Sequence, residues 1–344
     1  MKIAPFAANC AVLLAATSIH AQSTPLTQAE APSENHFGLS ARFGLNISAK
    51  FKNLGGFTSP ALPGPASGGA EHFYDDGFVR LDASGNAGGK TWFWGYENAA
   101  QVPGNDTIEF HAGDVPANRS VRDEGDPQLG FELSYSRQLG KLDPFRWGIE
   151  AAFGYTDINI RNSQSFVGNV TALTDSYALG GVTPPQAPYA GTFGGPGVVI
   201  GDTPTRSTTL MPGGALITGQ RELNAGMYTL RLGPYFTYPI TERLSLDLGG
   251  GLAFGIVDSE FEFREAVTVG AATAKSAGHD SQTDFLAGGY VGAQLGWQVF
   301  DHVSLFTGAQ YQPLGSFTQK VAGKKAELDL VNPVFLSAGL RFSF

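Results

Sequence analysis

The feature that most constrains this chain is a strict alternation of apolar with small or polar residues over long segments. Leu39, Ala41 and Phe43 alternate with Ser40 and Arg42, and the pattern recurs to the last residues. Because side chains alternate between the two faces of a strand, each segment has one apolar and one polar face. Most segments run for about 10–14 residues, whereas a tilted membrane-spanning strand needs about 9–11 and strands of soluble domains average about 5–6. The pattern predicts an all-β fold, a transmembrane antiparallel up-and-down β-barrel.

The number of strands is left open between eight and ten. Eight segments carry the alternation strongly, at about 37–49, 128–139, 145–157, 223–237, 244–257, 283–299, 303–312 and 334–344. Within residues 50–127, the stretch 73–98 has the turn composition of a hairpin, which gives ten strands if it spans the membrane. Its first arm carries charges such as Asp75 and Arg80, which disfavours a lipid-facing position and favours eight strands.

The connections alternate strictly between short and long. Short links occur near 140–144, 239–243 and 300–302, and long links at about 158–221, 258–282 and 312–333. Outer-membrane barrels have short periplasmic turns and long extracellular loops, so the long links are predicted to be extracellular. The regions 50–127 and 158–221 are expected to be long loop or hairpin insertions. Surface adhesion, ligand capture and flexible filler all suit the proline- and glycine-rich segment 158–221.

The N-terminus has the pattern of a secretory signal peptide. A basic residue, an apolar run and a small-residue site predict cleavage after Ala21, which makes residues 1–21 the signal peptide. Residues 22–36 are polar and are expected to form a flexible periplasmic leader before a barrel of residues 37–344. Cys10 is the only cysteine and lies in the signal peptide, so no disulfide or cysteine–metal site is expected.

Charge is scarce, and on the inward faces it is balanced. Only 15% of residues are charged and the formal net charge is −9, which argues against nucleic-acid binding. The interior of an eight-stranded barrel is just wide enough to be filled by side chains. Four cations and four anions are predicted to form a self-neutralised charge network there: Arg42, Arg146, Arg231 and Arg341 with Glu132, Glu150, Asp247 and Asp284. The prediction is a lumen with no large constitutive channel, since unpaired buried charges are strongly disfavoured.

Candidate binding chemistry is limited to one aromatic group. Trp92, Trp94 and Tyr96 share one face of a predicted strand and form a possible ligand platform, for example for a stacked sugar. Membrane girdle or hairpin packing is the alternative role for the same rings. The histidines lack ligand spacing, and no nucleophile elbow, P-loop or zincin motif occurs. We therefore expect no enzyme activity, no metal and no cofactor.

The closing residues resemble the terminal strand of bacterial outer-membrane β-barrel proteins. Leu340, Phe342 and Phe344 alternate with polar residues and end the chain on phenylalanine. The resemblance covers about residues 37–344 and is strongest to small OmpA-like barrels, without their periplasmic peptidoglycan-binding domain. It implies that these three residues act as an assembly signal, with the outer-membrane assembly machinery as a partner.

The function favoured by the sequence is a non-enzymatic outer-membrane barrel with a structural or surface-interaction role. The expected location is the bacterial outer membrane, with lipid as the surrounding partner, an extracellular ligand bound through the loops, and a monomeric state. A porin or transport channel for small solutes is the alternative, and an outer-membrane enzyme is a weaker one. At the level of the fold, a soluble exported β-sandwich is the remaining alternative.

Overall fold

A computed structural model describes residues 35–58, 63–125, 127–270 and 272–344. The predicted signal peptide and nearly all of the predicted leader lie outside these residues. Within them, no helix is both long and apolar enough to cross a membrane. Besides one 3₁₀ helix (Ala99–Gln101), the described residues form these strands: β1 (Asn35–Leu45), β2 (Ser48–Leu54), β3 (Phe57–Thr58), β4 (His72–Tyr74), β5 (Gly77–Val79), β6 (Lys90–Thr91), β7 (Trp94–Tyr96), β8 (Thr107–Val115), β9 (Arg119–Glu124), β10 (Gln128–Leu142), β11 (Phe145–Asn162), β12 (Phe166–Ala178), β13 (Tyr189–Ala190), β14 (Ile200–Gly201), β15 (Thr205–Pro239), β16 (Leu244–Val269), β17 (Ala272–Phe300), β18 (Val303–Tyr311), β19 (Gly315–Val321), β20 (Lys324–Leu330) and β21 (Val334–Ser343).

Eight of these strands close into an antiparallel ring. The order is β11-β10-β1-β21-β18-β17-β16-β15, and pairing of β11 with β15 completes it. Each of the eight segments with strong alternation overlaps one ring strand over most of its length, which confirms the predicted fold and the strand number of eight. The stretch 73–98 contributes instead to a separate sheet of order β13-β7-β5-β4, so the ten-strand alternative is wrong.

The outer face of the ring is an apolar band. Its exposed members include Phe37, Leu39, Phe43, Leu129, Phe131, Ile149, Phe153, Leu230, Leu232, Phe236, Leu248, Leu252, Val291, Leu295, Trp297, Leu305, Leu336, Leu340 and Phe342. A closed ring leaves no unpaired strand edge at this level, which is what a β-structure in hydrocarbon requires. The band and the closure together define a membrane-spanning barrel.

The alternation reverses its polarity at one level of the barrel wall. Tyr155, Tyr228, Ile256 and Phe285 lie side by side on neighbouring strands and are the last apolar residues of the lipid-facing band. One step farther along, the outward positions are polar and exposed, as at Asp258 on β16. From there on the large apolar residues of β16 that are buried, such as Val257 and Phe261, point inward. We call this level the membrane boundary.

The three long links contain mostly strand for this reason. The segment 258–282 is strand almost throughout, because β16 and β17 continue past the membrane boundary and pair to Val269 and Ala272. On β16, Val257, Phe261 and Phe263 are buried on the inner face, while Asp258 and Glu260 on the outer face are exposed. The segments 158–221 and 312–333 likewise contain β12, β19, β20 and much of β15. Burial of an apolar inner face stabilises these strands in water as it does in any sandwich.

Beyond the membrane boundary the wall becomes one half of a sandwich, which we call the head. The extensions of β11, β15, β16 and β17 face a second sheet of order β19-β20-β2-β9. Their contact is an apolar core that includes Phe51, Leu54, Phe261, Phe263 and Leu328, all of which are buried. The chain enters the second sheet directly from barrel strands, so the head is continuous with the barrel.

A smaller unit, which we call the cap, lies beside the head and uses the remaining insertions. Its core contains Tyr74, Trp94, Ile108, Phe110 and Tyr177. These residues come from both the 50–127 and the 158–221 insertions. The core of the cap therefore forms only where the two insertions bury their apolar side chains against each other.

The position of the membrane boundary gives a paired prediction on β17. Val291→Arg places a cation in the apolar band and is expected to lower the free energy of unfolding by about 2–4 kcal/mol, depending on depth. Ser281→Arg, on the same face of the same strand but beyond the boundary, is the matched control and is expected to change it by less than about 1 kcal/mol. Denaturant unfolding in phospholipid vesicles measures both. Equal costs for the two variants would place the boundary elsewhere.

Candidate functional site

The centre of the lumen holds a connected group of buried charges. The guanidinium of Arg231 lies 2.6 Å from a carboxylate oxygen of Glu132 and 3.4 Å from one of Glu150. Arg42 lies 3.3 Å from the second oxygen of Glu132. Glu132, on β10, therefore bridges two arginines that come from different strands, Arg42 on the neighbouring β1 and Arg231 on β15, two steps away in the ring.

A second pair continues the group toward the short turns. Arg341 forms an ion pair with Asp247 and donates to the side-chain oxygen of Gln294 at 2.9 Å. Asp247 also accepts a hydrogen bond from Thr237 at 2.6 Å. Together with Arg42, Arg231, Glu132 and Glu150, the lumen thus contains three cations and three anions in direct pairs. Equal numbers of opposite charge remove most of the cost of burying each one.

Aromatic rings cover the arginines from the head side and the wall. The guanidinium carbon of Arg42 lies 3.9 Å from the ring centre of Phe335, and that of Arg231 lies 4.5 Å from the ring of Tyr290. Such stacking satisfies the faces of the guanidinium groups, which hydrogen bonds do not reach.

The other two predicted lumen charges are Arg146 and Asp284. Arg146 lines a cavity at the short-turn end of the barrel. Asp284 lies near the membrane boundary, where its carboxylate accepts a hydrogen bond from the side-chain amide of Gln282 at 2.9 Å. Strand alternation predicts which residues face the lumen. It does not predict how far along the barrel axis each one lies, so the sequence could not show which of the eight residues meet.

The lumen narrows from one end to the other. At the short-turn end, a cavity of about 390 Å³ is lined by polar residues that include His36, Gln138 and Arg243. Farther in, beside Glu150 and Arg231, the cavity volume is about 20 Å³, which is room for about one water molecule. Above that, the apolar core of the head fills the space between the sheets. Among the described residues, polar pairs and then an apolar core therefore close the lumen.

The predicted aromatic platform is wrong. Trp94 and Tyr96 are buried in the cap core, and the indole nitrogen of Trp94 donates to the carbonyl of Val198 at 2.8 Å. Trp92 is half-buried, and its indole nitrogen donates to the carbonyl of Phe193 at 3.2 Å. The segment around residues 189–200 covers these rings. It lies about a hundred positions away along the chain, and no local pattern indicates the contact.

The exposed rings of the cap are on the opposite face, which the sequence reasoning missed. The guanidinium of Arg80 lies 4.8 Å from the ring centre of Phe93 and 5.2 Å from that of Phe73. Phe93 also makes an edge contact with Phe193 at 6.3 Å, and Phe73 and Phe193 are exposed. The available signal was the alternation within the hairpin, which puts Phe93 on the face opposite to Trp92 and Trp94.

A buried polar network holds the two insertions of the cap together. The hydroxyl of Tyr74 donates to Asp175 at 2.7 Å, and Arg206 donates to both oxygens of the same carboxylate at 2.7 and 2.8 Å. The hydroxyls of Tyr74 and Tyr177 are 2.7 Å apart. Burial raises the pKa of both tyrosines well above the ordinary value, so both hydroxyls stay protonated. The polar groups of this network bond to one another, so its role is structural.

Two further predictions concern metal binding and the residues at the end of the last strand. In the described part of the chain, no three His, Cys, Asp or Glu side chains form a group that could hold a metal ion. Leu340 and Phe342 lie on the lipid face of β21, and Phe344 is exposed just after it. Their predicted role as a signal for the outer-membrane assembly machinery concerns the assembly step, and it stays a prediction.

The fold is that of an outer-membrane β-barrel, on the evidence of the closed eight-strand ring and the apolar outer band. No protein-family model matches the sequence, and no curated protein matches it. Solved structures that it resembles include Ail, the attachment invasion locus protein of Yersinia pestis, with 11% identity, 90% of this chain and 99% of that chain covered, and a TM-score of 0.28. Neisserial surface protein A has 11% identity, 90% and 97% coverage and a TM-score of 0.25. The outer membrane protease OmpT from Escherichia coli has 11% identity, 91% and 96% coverage and a TM-score of 0.31. At these values no role is transferred from any of them.

The lumen pairs give a prediction for stability. Arg231→Met leaves Glu132 and Glu150 without their shared cation and is expected to lower the free energy of unfolding by about 3–5 kcal/mol. Arg264→Met breaks an exposed pair with Glu262 and is the matched control, with an expected cost of about 1 kcal/mol or less.

Rescue distinguishes charge pairing from packing. Adding Glu150→Gln to Arg231→Met restores equal numbers of opposite charges and keeps Arg42 paired with Glu132, so it is expected to recover part of the loss, as measured by denaturant unfolding in vesicles. If Arg231→Met costs no more than Arg264→Met, the lumen pairs do not stabilise the barrel.

Proposed function

We propose that this protein is a non-enzymatic outer-membrane barrel that anchors a rigid β-structured head at the cell surface, with a structural or surface-interaction role. The observation that carries the proposal is the closed lumen. A barrel whose interior is filled from wall to wall acts as an anchor, and its specific contacts are then made outside the membrane.

The arrangement of charge in the lumen supports an anchor over a pore. Selective pores present rings of one charge sign to the permeating solute. Here Arg231 is within ion-pair distance of both Glu132 and Glu150, and Arg341 is paired with Asp247. These charges are engaged with one another, and displacing them to admit a solute would leave buried charges unpaired.

The build of the head supports a role at the surface. From Val257 to Val269, β16 extends beyond the membrane boundary for about 40 Å at roughly 3.3 Å per residue. Four of its outward residues are charged, its inner face is packed, and the head continues directly from the barrel wall. A packed projection of this length presents fixed surfaces to other molecules, which flexible loops would not do.

The proposal includes the route to the membrane. Export would remove residues 1–21, and the assembly machinery would read Leu340, Phe342 and Phe344 at the end of the last strand. Lipid would surround the apolar band, and the protein would act as a monomer with an extracellular ligand held by the head or the cap.

Conductance tests the proposal directly. The full-length protein, refolded and inserted into planar phospholipid bilayers, is expected to give no nanosiemens-scale steps, because both the ion pairs and the apolar core must be displaced before ions pass. Heat-denatured protein at the same concentration is the control for bilayer leakage. Reproducible steps of that size from the folded protein alone would contradict the proposal and favour the transport alternative.

A further inference from the structure

The cavity at the short-turn end of the lumen is a blind chamber, which we call the vestibule. Its volume is about 390 Å³, and each of the eight ring strands contributes at least one residue to its lining. Sites for small molecules have volumes of about 300–1,000 Å³. Farther in, the ion pairs of Arg231 and a gap of about 20 Å³ close the lumen. A small molecule that enters past the short turns therefore has room to bind in the vestibule.

The charges that line the vestibule differ between its walls and its rim. On the walls lie two arginines, Arg146 on β11 and Arg341 on β21. The lining carboxylates, those of Glu242 and Asp301, belong to the short turns at the rim and are exposed. Asp247 pairs with Arg341 but is not among the lining residues. The walls, as far as the structure describes them, thus present guanidinium groups and neutral polar groups, which favours an anionic ligand.

Arg341 has hydrogen-bonding capacity left after its internal contacts. Its Nη1 atom donates to Asp247, and its Nη2 atom donates to Gln294 at 2.9 Å. A guanidinium group carries five N–H bonds, so these two contacts leave three of them without an acceptor in the described part of the chain. Because the side chain lines the vestibule, these N–H bonds can donate to a ligand there. Hydrogen bonds from a guanidinium to an oxyanion are among the strong ones in proteins.

Gln138 is a buried amide on the vestibule wall without a protein partner. The residue is only 7% exposed, and its side chain forms no hydrogen bond with another described residue. A buried polar group in a native structure nearly always has a partner, either in the protein or in a bound water or ligand. Because Gln138 lines the vestibule, its partner has to come from the cavity. A water molecule would satisfy the amide alone, whereas an anion would satisfy Gln138 and Arg341 together.

We propose that the vestibule binds a phosphate group through hydrogen bonds from Arg341, Arg146 and Gln138. These donors come from β21, β11 and β10, so they approach the cavity from different directions around the ring. That arrangement suits the tetrahedral oxygens of a phosphate better than the planar oxygens of a carboxylate. The remaining volume accommodates a small group attached to the phosphate. Two sources carry this group at a membrane surface, namely soluble phosphate compounds and phospholipid head groups.

Isothermal titration calorimetry with inorganic phosphate tests the site. The full-length protein is refolded in octyl glucoside micelles and kept in phosphate-free buffer of low ionic strength. We expect saturable binding with one site per barrel, and no binding to heat-denatured protein. Chloride is the control anion, since it carries charge but offers no set of oxygen acceptors. It is expected to compete with phosphate only at much higher concentration.

A pair of glutamine variants locates the site. Gln138→Met removes the amide and keeps an unbranched side chain of similar length, so heat-modifiable gel migration is expected to stay unchanged. Phosphate binding is expected to weaken by about tenfold or more, the usual effect of losing a hydrogen bond to a charged group. Gln298→Met is the matched control. Gln298 lies at the rim, is exposed and already donates to the carbonyl of Asp301 at 3.2 Å, so its substitution is expected to leave binding unchanged.

Competition identifies the source of the phosphate. Glycerol 3-phosphate and the short-chain phospholipid dihexanoyl phosphatidylglycerol are each added to protein saturated with inorganic phosphate. Displacement by the phospholipid at the lower concentration identifies a lipid head group as the ligand. Displacement by glycerol 3-phosphate at the lower concentration identifies a soluble compound.

Three results would overturn the proposal: no saturable binding of phosphate, equal competition by chloride, or unchanged binding in Gln138→Met. The first would mean that the vestibule holds only water, and the second that positive charge attracts any anion. The third would remove the buried amide from the site. The anchor role is tested separately by conductance, since a silent barrel that binds no phosphate still acts as an anchor, and a conducting barrel that binds phosphate refutes the anchor role alone.

Discussion

The structure depends on the requirement that backbone polar groups in hydrocarbon find partners within the protein, because lipid offers none. Strands meet this requirement only by closing into a ring, and the ring of eight then fixes which side chains face lipid and which face the lumen. Where the same strands leave the membrane, the requirement reverses, since water solvates the outer face and apolar residues are stabilised inside. Ile256 and Val257, adjacent apolar residues on opposite faces of β16, mark this reversal.

The two interiors created by this reversal are held together by different forces. Below the membrane boundary the lumen is polar, and pairs such as Arg231 with Glu132 offset the cost of burying charge. Above it the core of the head is apolar, and burial of residues such as Phe261 stabilises it through the hydrophobic effect. The polar and apolar interiors are stacked along one axis.

The sequence was sufficient to predict the barrel because alternation is local. All eight ring strands and the short turns follow from it. It was not sufficient for the head and the cap, where contacts join residues far apart, as in the Trp94 to Val198 hydrogen bond. The extensions beyond the membrane are marked in the sequence only by a change in the phase of alternation, which a pattern of apolar outward residues does not identify as strand. The height of Arg146 and Asp284 along the barrel axis depends on strand tilt and register, which the pattern does not contain.

The most direct test of the account is a spin-label scan of the outward positions of β16. With Cys10, the only cysteine, replaced by serine, single cysteines at Leu248, Leu252, Ile256, Asp258, Glu260 and Glu262 would carry the label in refolded protein in lipid vesicles. We predict that collision with oxygen, which partitions into lipid, dominates through position 256, and that collision with a water-soluble nickel reagent dominates from position 258 onward. Lipid-like accessibility that persists through position 262, or water-like accessibility at position 252, would contradict the reversal of polarity at this boundary.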